Sequence, residues 1–584
     1  MAWYDEAVFY HIYPLGLTGA PKENNYQCTE HRLNDLIPWI EHIKNIGCNA
    51  IYIGPLFESV GHGYETTDYK KLDSRLGTNE DLTNYVKECH KQGVKVIFDG
   101  VFNHVGRDFF AFKDLQKNRE NSPYKDWFCN VNFGGNNEYN DGFSYENWGG
   151  YNLLVKLNQK NPAVIEYICD AIRYWVNEFD VDGIRLDAAD VLDFNYMQAL
   201  RKVANEVKPD FWLMGEVIHG DYIRWVNEGT LHSVTNYHLH KALYSGHNDH
   251  NYFEIAHTVK RLYEMGGNKP DGLKLYNFVD NHDVERIYTK LTNKAHFAPV
   301  HILMYTLPGI PSIYYGSEFG IEGKKEKFSD DSLRPALELA DYKDAEKENP
   351  CTKLIAALGK VRQKTKALSY GDFKELRLTN RQYAYSRNYN GTSIVVAVNN
   401  DDNDCTLSLP VGNAKEYIGT LSGEKVKVNN GQITVNVKAN YGDIWVPADL
   451  AEKEVEPIEF IEVKNAKETI VDKKTTSLIK DNKEDENVKK HTIVGPKVKK
   501  AVKNEKNYIN NVDIINKEVE KEQKNKELEP RLVDKPYEEM TIEELQEGIL
   551  AKMAKNGPIT DQMRKDVEEN IYRNSLLNWI NSFR

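Results

Sequence analysis

Apolar and β-branched residues gather in short runs along residues 1–366, and between those runs apolar positions return at helical spacing. VFYHIY (8–13), AIYI (50–53), KVIF (95–98), GIRL (183–186), FWLM (211–214), SVTN (233–236), LKLYNF (273–278) and SIYY (312–315) read as strands. LIPWIEHIKNIG (36–47) and EDLTNYVKECHKQG (80–93) read as helices that stop on glycine. PAVIEYICDAIRYWVNEF (162–179) carries proline in its first turn, where the missing N–H costs nothing. Eight strand-then-helix units in series predict an α/β fold, a (β/α)8 TIM barrel over 1–366. An open doubly wound sheet is the alternative. The interval of about 104–156 after the third strand is rich in Gly, Asn and aromatics. It is too long for a bare loop and predicts an inserted subdomain.

The pattern changes at 367–448. YAYSR and SIVVAVNN flank an Asn390-Gly391 turn, and KVKVNNGQITVNV repeats the logic at Asn430-Gly431. Both read as hairpins of a C-terminal antiparallel β-sandwich domain. Residues 449–535 are Lys/Glu/Asn-rich and poor in aromatics, the composition of a disordered linker. Within 536–584, Thr541 and Glu544 are spaced as a capping box. Leu545, Ile549 and Met553 then share a helical face, and Val567, Ile571, Leu577 and Ile580 mark a second stretch. Two short helices bury little apolar surface. The module is therefore expected to meet a protein partner or a second copy of the chain; the two helices pairing with each other is the alternative.

Net charge is -13, which argues against nucleic acid as a partner. No apolar run is long enough to span a membrane, and the N-terminal residues show no signal-peptide pattern. Seven scattered cysteines without a CxxC suit a reduced, cytoplasmic protein. Aromatics make up 11% of the chain, enough for a large core and for surfaces that stack flat ligands such as sugar rings.

Chemistry in a βα barrel gathers at the C-terminal ends of the strands. The third ends with Asp99, Asn103 and His104, the fourth with Arg185 and Asp187, the fifth with Glu216, and the seventh with Asp280, His282 and Asp283. Arg185 and Asp187 are two apart on a strand and face the same way, so the cation favours an ionised Asp187. Glu216 follows an apolar strand with no cation near it in sequence, so desolvation is expected to raise its pKa. An ionised and a protonated carboxyl together meet the needs of glycoside hydrolysis. Asp283 is placed to add negative field, and His104 and His282 to bond sugar hydroxyls.

DGVFNH (99–104), GIRLDAAD (183–190), GEV (215–217) and FVDNHD (278–283) together resemble the four short conserved regions of the α-amylase family of glycoside hydrolases, family 13. GHGYETTDY resembles the family's HGY segment, which implies that Tyr64 is a platform under the sugar at the cut. DDSLR resembles the element that sets an aspartate and an arginine, here Asp330 and Arg334, on a neighbouring sugar. SPYKDWF and VKLNQKNP resemble the inserted domain of cyclomaltodextrinase- and neopullulanase-like members. The resemblance implies retaining hydrolysis of an α-glucan, with Asp187 the nucleophile, Glu216 the acid/base and Asp283 the third acid. It also places Asn103 at a calcium-ligand position, although no cofactor is expected to be required. Asp190 and Val191 stand where many secreted members have Lys-His. Ala188 stands where α-1,6-acting members often have Val, and it tilts the reading towards α-1,4 bonds. A transglycosylase on the same scaffold is one alternative. A non-catalytic carbohydrate-binding or assembly protein is another, and there one acid would be expected to be lost.

Overall fold

The structure, a computed structural model, describes residues 2–265, 273–327, 329–451 and 541–556, and singly 564, 567, 576 and 580. Eight parallel strands form the first domain: Phe9–Ile12 (β1), Ala50–Ile53 (β2), Lys95–Gly100 (β3), Gly183–Leu186 (β4), Trp212–Gly215 (β5), Ser233–Val234 (β6), Tyr276–Asn277 (β7) and Ile310–Tyr314 (β8). Each pairs with the next, and β8 returns to β1. A parallel bridge between Thr235 and Tyr276 joins β6 to β7. That closure rules out the open sheet. The helix Pro162–Phe179 has the predicted bounds, and Asn161 caps it by accepting the Ala163 N–H at 2.9 Å.

Strand alternation divides the barrel into an outer and an inner face. Outward residues such as Tyr10, Ile12 and Ile51 pack under the helices. Inward residues Phe9, Tyr52, Ile97, Trp212, Met214 and Tyr276 form a separate interior cluster. Phe9 stacks on Trp212 at 5.2 Å between ring centres and meets Tyr276 edge-on at 5.5 Å. Two residues further along the same faces the side chains become His11, Asp99 and Arg185. The interior thus runs from an aromatic floor to a charged upper end, and the charged end is where the strands stop.

After β3 the chain forms the inserted subdomain. Its sheet joins His104–Gly106, Tyr151–Lys156 and Asn147–Trp148, and the helix Phe110–Asn118 packs beside it. The C-terminal domain sets a six-stranded antiparallel sheet against the pair Cys405–Pro410 and Gln432–Val437. Ala384, Val395, Ala397, Leu409, Ile433, Val435 and Trp445 fill the space between. Asn390 and Gly391 both take positive φ, 47° and 80°, and close the predicted hairpin. The second expected hairpin differs. Asn430 and Gly431 do turn the chain, but Lys425–Lys427 joins the large sheet and Gln432–Val437 the small one. Only the bridge between Asn429 and Gln432 remains between them. The turn therefore passes the chain from one layer of the sandwich to the other.

The charged linker lies, from residue 452 on, outside the described residues, as do Ile571 and Leu577. In the tail, Ile542–Asn556 is helical. Its capping box forms as predicted: the Thr541 N–H donates to Glu544 at 2.7 Å, and the Glu544 N–H to Thr541 Oγ1 at 3.2 Å. Leu545, Ile549 and Leu550 pack against Val567, Leu576 and Ile580 of the same segment. The apolar face is thus covered from within the chain, as in the alternative reading. Among the described residues no helix is long and apolar enough to cross a membrane.

Candidate active site

Arg185 stands at the centre of the charged end, its side chain 3% exposed. Parallel register puts Asp99 of β3 directly beside it, and Met214 of β5 on its other side. Two residues beyond Met214 the same face carries Glu216. One guanidinium therefore meets three carboxylates. Nη1 donates to Asp99 Oδ1 at 2.8 Å and to Asp187 Oδ1 at 2.8 Å, and Nη2 pairs with Glu216 Oε2 at 2.9 Å. The expectation that Glu216 lacks a cationic neighbour is overturned, because the cation comes from the adjacent strand. Burial pushes the Asp187 and Glu216 carboxyls above the usual range, Arg185 pulls both back, and each has another carboxylate raising it. One cation cannot neutralise three carboxylates, so burial and mutual repulsion favour a shared proton on the pair Asp187 and Glu216 over two negative charges.

Ala188 adopts a left-handed backbone, φ 47° and ψ 43°, which a non-glycine residue takes only under constraint. That bend turns its N–H to Glu216 Oε2 at 3.1 Å. Tyr237 Oη lies 3.5 Å from Glu216 Oε1 and accepts from Asn281 Nδ2 at 3.1 Å.

A chain of polar contacts leads from Arg185 to the other predicted residues. Tyr64 Oη lies 3.1 Å from Asp99 Oδ2 and 2.5 Å from His282 Nε2. His282 Nε2 is 3.0 Å from Asp283 Oδ2, and Arg334 Nη2 donates to Asp283 Oδ1 at 2.9 Å and to Asp330 Oδ2 at 3.2 Å. Burial lowers the His282 pKa to about 3. Burial alone would raise Asp283, but His282, Arg334, Arg185 and Lys325 outweigh it and hold the carboxyl at about 2. The neutral ring satisfies its neighbours best with the proton on Nε2, facing Asp283, while Tyr64 donates to Asp99. The Tyr64 and Tyr13 rings lie nearly parallel to His282, at 10° and 16°. Tyr64, expected as a ring platform, is therefore also engaged through its hydroxyl.

His104 sits apart from this chain. It is 1% exposed, its Nε2 has no hydrogen-bond partner, and burial lowers its pKa to about 3. Beside it stands Asn103. Its side-chain oxygen takes the Gln159 Nε2–H at 2.9 Å, and Gln159 Oε1 takes the Asp193 N–H at 2.7 Å. Among the described residues no group of three or more His, Cys, Asp or Glu side chains could hold a metal ion. The Gln159 amide instead ties the end of β3 to the segment after β4.

Tyr13, Tyr237 and Asn281 complete the surroundings and were not singled out from sequence. Tyr13 follows β1 and Tyr237 follows β6, so the strand-end rule applied to every strand would have found both.

The chain matches the family described as "Alpha amylase, catalytic domain" over residues 31–365, and "Alpha-amylase C-terminal domain" over 371–445. It is 31% identical over 441 residues to a cyclomaltodextrinase of Thermoanaerobacter pseudethanolicus, covering 71% of this chain and 74% of that protein. It is 29% identical over 462 residues to a maltogenic alpha-amylase of Bacillus acidopullulyticus, covering 75% and 77%. A solved cyclomaltodextrinase superposes with a TM-score of 0.67 at 27% identity, over 76% of this chain and 78% of that one. Barrel, C-terminal domain and sequence agree: the chain belongs to the α-amylase family of glycoside hydrolases.

Proposed function

We propose that this site hydrolyses α-1,4-glucosidic bonds in maltodextrins, starch- or glycogen-like glucans or cyclodextrins, with retention of configuration. The observation that carries the reading is the grip of Arg185 on Asp187 and Glu216 together. Asp187 attacks the anomeric carbon while Glu216 gives its proton to the departing glycosidic oxygen. Glu216 then takes a proton from water, which opens the glycosyl ester and restores both groups. Asp283, held ionised, stabilises positive charge on the sugar ring. All three acids are in place, which argues against a non-catalytic scaffold. Proton NMR of maltodextrin cleavage tests the stereochemistry. The α-anomer is expected first; initial release of the β-anomer would overturn the retaining mechanism.

His104 and His282 bond the sugar at the cut in this reading, over the Tyr64 ring, and Asp330 and Arg334 hold its neighbour. Tyr64→Phe is expected to lower kcat/KM by about tenfold or more, since a hydrogen bond to a buried charged group is lost. A change of less than twofold in steady-state kinetics would return the role to the ring alone.

Because Gln159 occupies the oxygen of Asn103, the enzyme is proposed to work without calcium. Chelation with EDTA is expected to leave rate and Tm unchanged. Gln159→Ala is expected to lower Tm by a few degrees, about 1–2 kcal/mol of lost buried hydrogen bonding. Calcium-dependent activity in the purified wild-type protein would refute this.

Two relatives from Bacillus subtilis are named intracellular maltogenic amylases, 31% identical over 298 residues and about half of each chain. Together with seven free cysteines they support a cytoplasmic location. Association through 536–584 is carried forward in a narrower form. With its apolar face covered, the helix Ile542–Asn556 would have to meet a protein partner or a second copy through outward residues.

A further inference from the structure

The insert carries two exposed aromatic rings that the catalytic reading does not use. Tyr151 is 68% exposed and Tyr139 46%. Each is fixed on one side and open on the other. Trp148 and Tyr151 are strand partners across a two-residue turn, Gly149-Gly150, with φ 64° and 85°. A Cβ on Gly149 would stand 3.3 Å from the Tyr151 ring, so the bare backbone there lets the ring lie against the turn. Tyr139 rests on the Arg107 guanidinium at 3.8 Å. Arg107 is itself clamped by two 2.7 Å bonds to Asp141 and one of 2.7 Å to Tyr145 Oη. A cation under one face of a ring fixes its plane and leaves the other face free.

Between the two rings the surface is polar. Asn152, next to Tyr151, donates to Glu138, next to Tyr139. The rings also connect to the active site, because Trp148 lies nearly parallel to His104, at 8° and 6.4 Å between ring centres. His104, Trp148, Tyr151 and Tyr139 are thus linked in succession by a ring contact, a strand pair and a side-chain hydrogen bond. Flat faces with hydrogen-bonding groups between them suit sugar rings, whose apolar faces stack while their rims bond.

We propose that Tyr151 and Tyr139 form an accessory binding track for a long α-glucan chain, continuous with the active site through Trp148. The proposal rests on the glucan reading of that site. A protein partner seated on the same rings is the competing occupant.

The test uses the full-length Glu216→Gln protein in native gels with and without soluble starch. The parent is expected to be retarded by starch. Tyr139→Ala with Tyr151→Ala should at least halve the retardation while migrating normally without starch, and Phe at both positions should restore it. In the active background, the ratio of kcat/KM on long maltodextrin to that on maltotriose should fall about five- to tenfold in the double Ala variant, the worth of one or two ring contacts. Undiminished retardation, an unchanged ratio, or no retardation of the parent would each overturn the track and leave the rings to a protein partner. The gel needs no catalysis. A protein that binds starch through these rings yet cleaves no α-1,4 bond would refute the hydrolase reading and leave the track standing.

Discussion

Asp187→Asn is expected to lower turnover of maltodextrin by about four orders of magnitude, the scale at which a lost nucleophile is felt. The substitution keeps shape and removes charge. Without the negative oxygen no glycosyl ester forms, and the neighbouring acid has nothing to assist. The fold is expected to persist and to melt no lower than the wild type. Asp187 is one of three carboxylates around a single buried cation, so its charge costs stability as well as enabling chemistry. Reducing-sugar release and thermal melting measure the two effects. An Asp187→Asn protein that keeps a tenth of wild-type activity would end the assignment.

Glu216→Gln is expected to cost about 10³-fold on maltodextrin, and far less on aryl glycosides whose leaving groups need little protonation. The same variant carries a pH signature. In the wild type the pair Asp187 and Glu216 holds its proton above the ordinary carboxylate range, because burial opposes a second negative charge. As pH rises through that upper step the acid is lost, and kcat/KM falls on the alkaline side. Glutamine has no such proton to lose, so the alkaline limb should flatten when measured on an aryl glycoside. Equal losses on both substrates, with the limb unchanged, would assign the proton to another group.

Much of this arrangement is legible along the chain, because a strand's own alternation is local. GIRLD alone says that Arg185 and Asp187 share a face. What it does not say is which residues lie beside them. Asp99 meets Arg185 because β3 and β4 align them as partners, and Glu216 does so because β5 aligns Met214 there. Register between strands is a property of the closed barrel, so the shared cation was invisible to periodicity. The same distinction explains the turn at Asn430-Gly431. The dipeptide specifies the local backbone, while membership of one sheet or the other is decided by the sandwich core. It also explains Tyr64. The family pattern gave the ring a place, and only the packed site shows that its hydroxyl is held between Asp99 and His282. The capping box at Thr541 was readable because it is complete within four residues. The partner of Leu545 and Ile549 was readable only as one of two alternatives, since it comes from further along the tail.

The aromatic floor of Phe9, Trp212 and Tyr276 closes the barrel interior below the site. A barrel packed in this way is no tunnel. Substrate cannot thread through it, and whatever is cut loose must back out by the opening through which it entered. The order of traffic follows. After the first half of the reaction the leaving sugar vacates a slot beside the bound glycosyl group, and the next molecule to occupy that slot decides the product. Water there gives hydrolysis; a second sugar there would give the new linkage of the transglycosylase alternative. In that alternative the balance between degrading and rebuilding glucan would be a queue at that end of the barrel, set by how crowded with short saccharides the surrounding solution is.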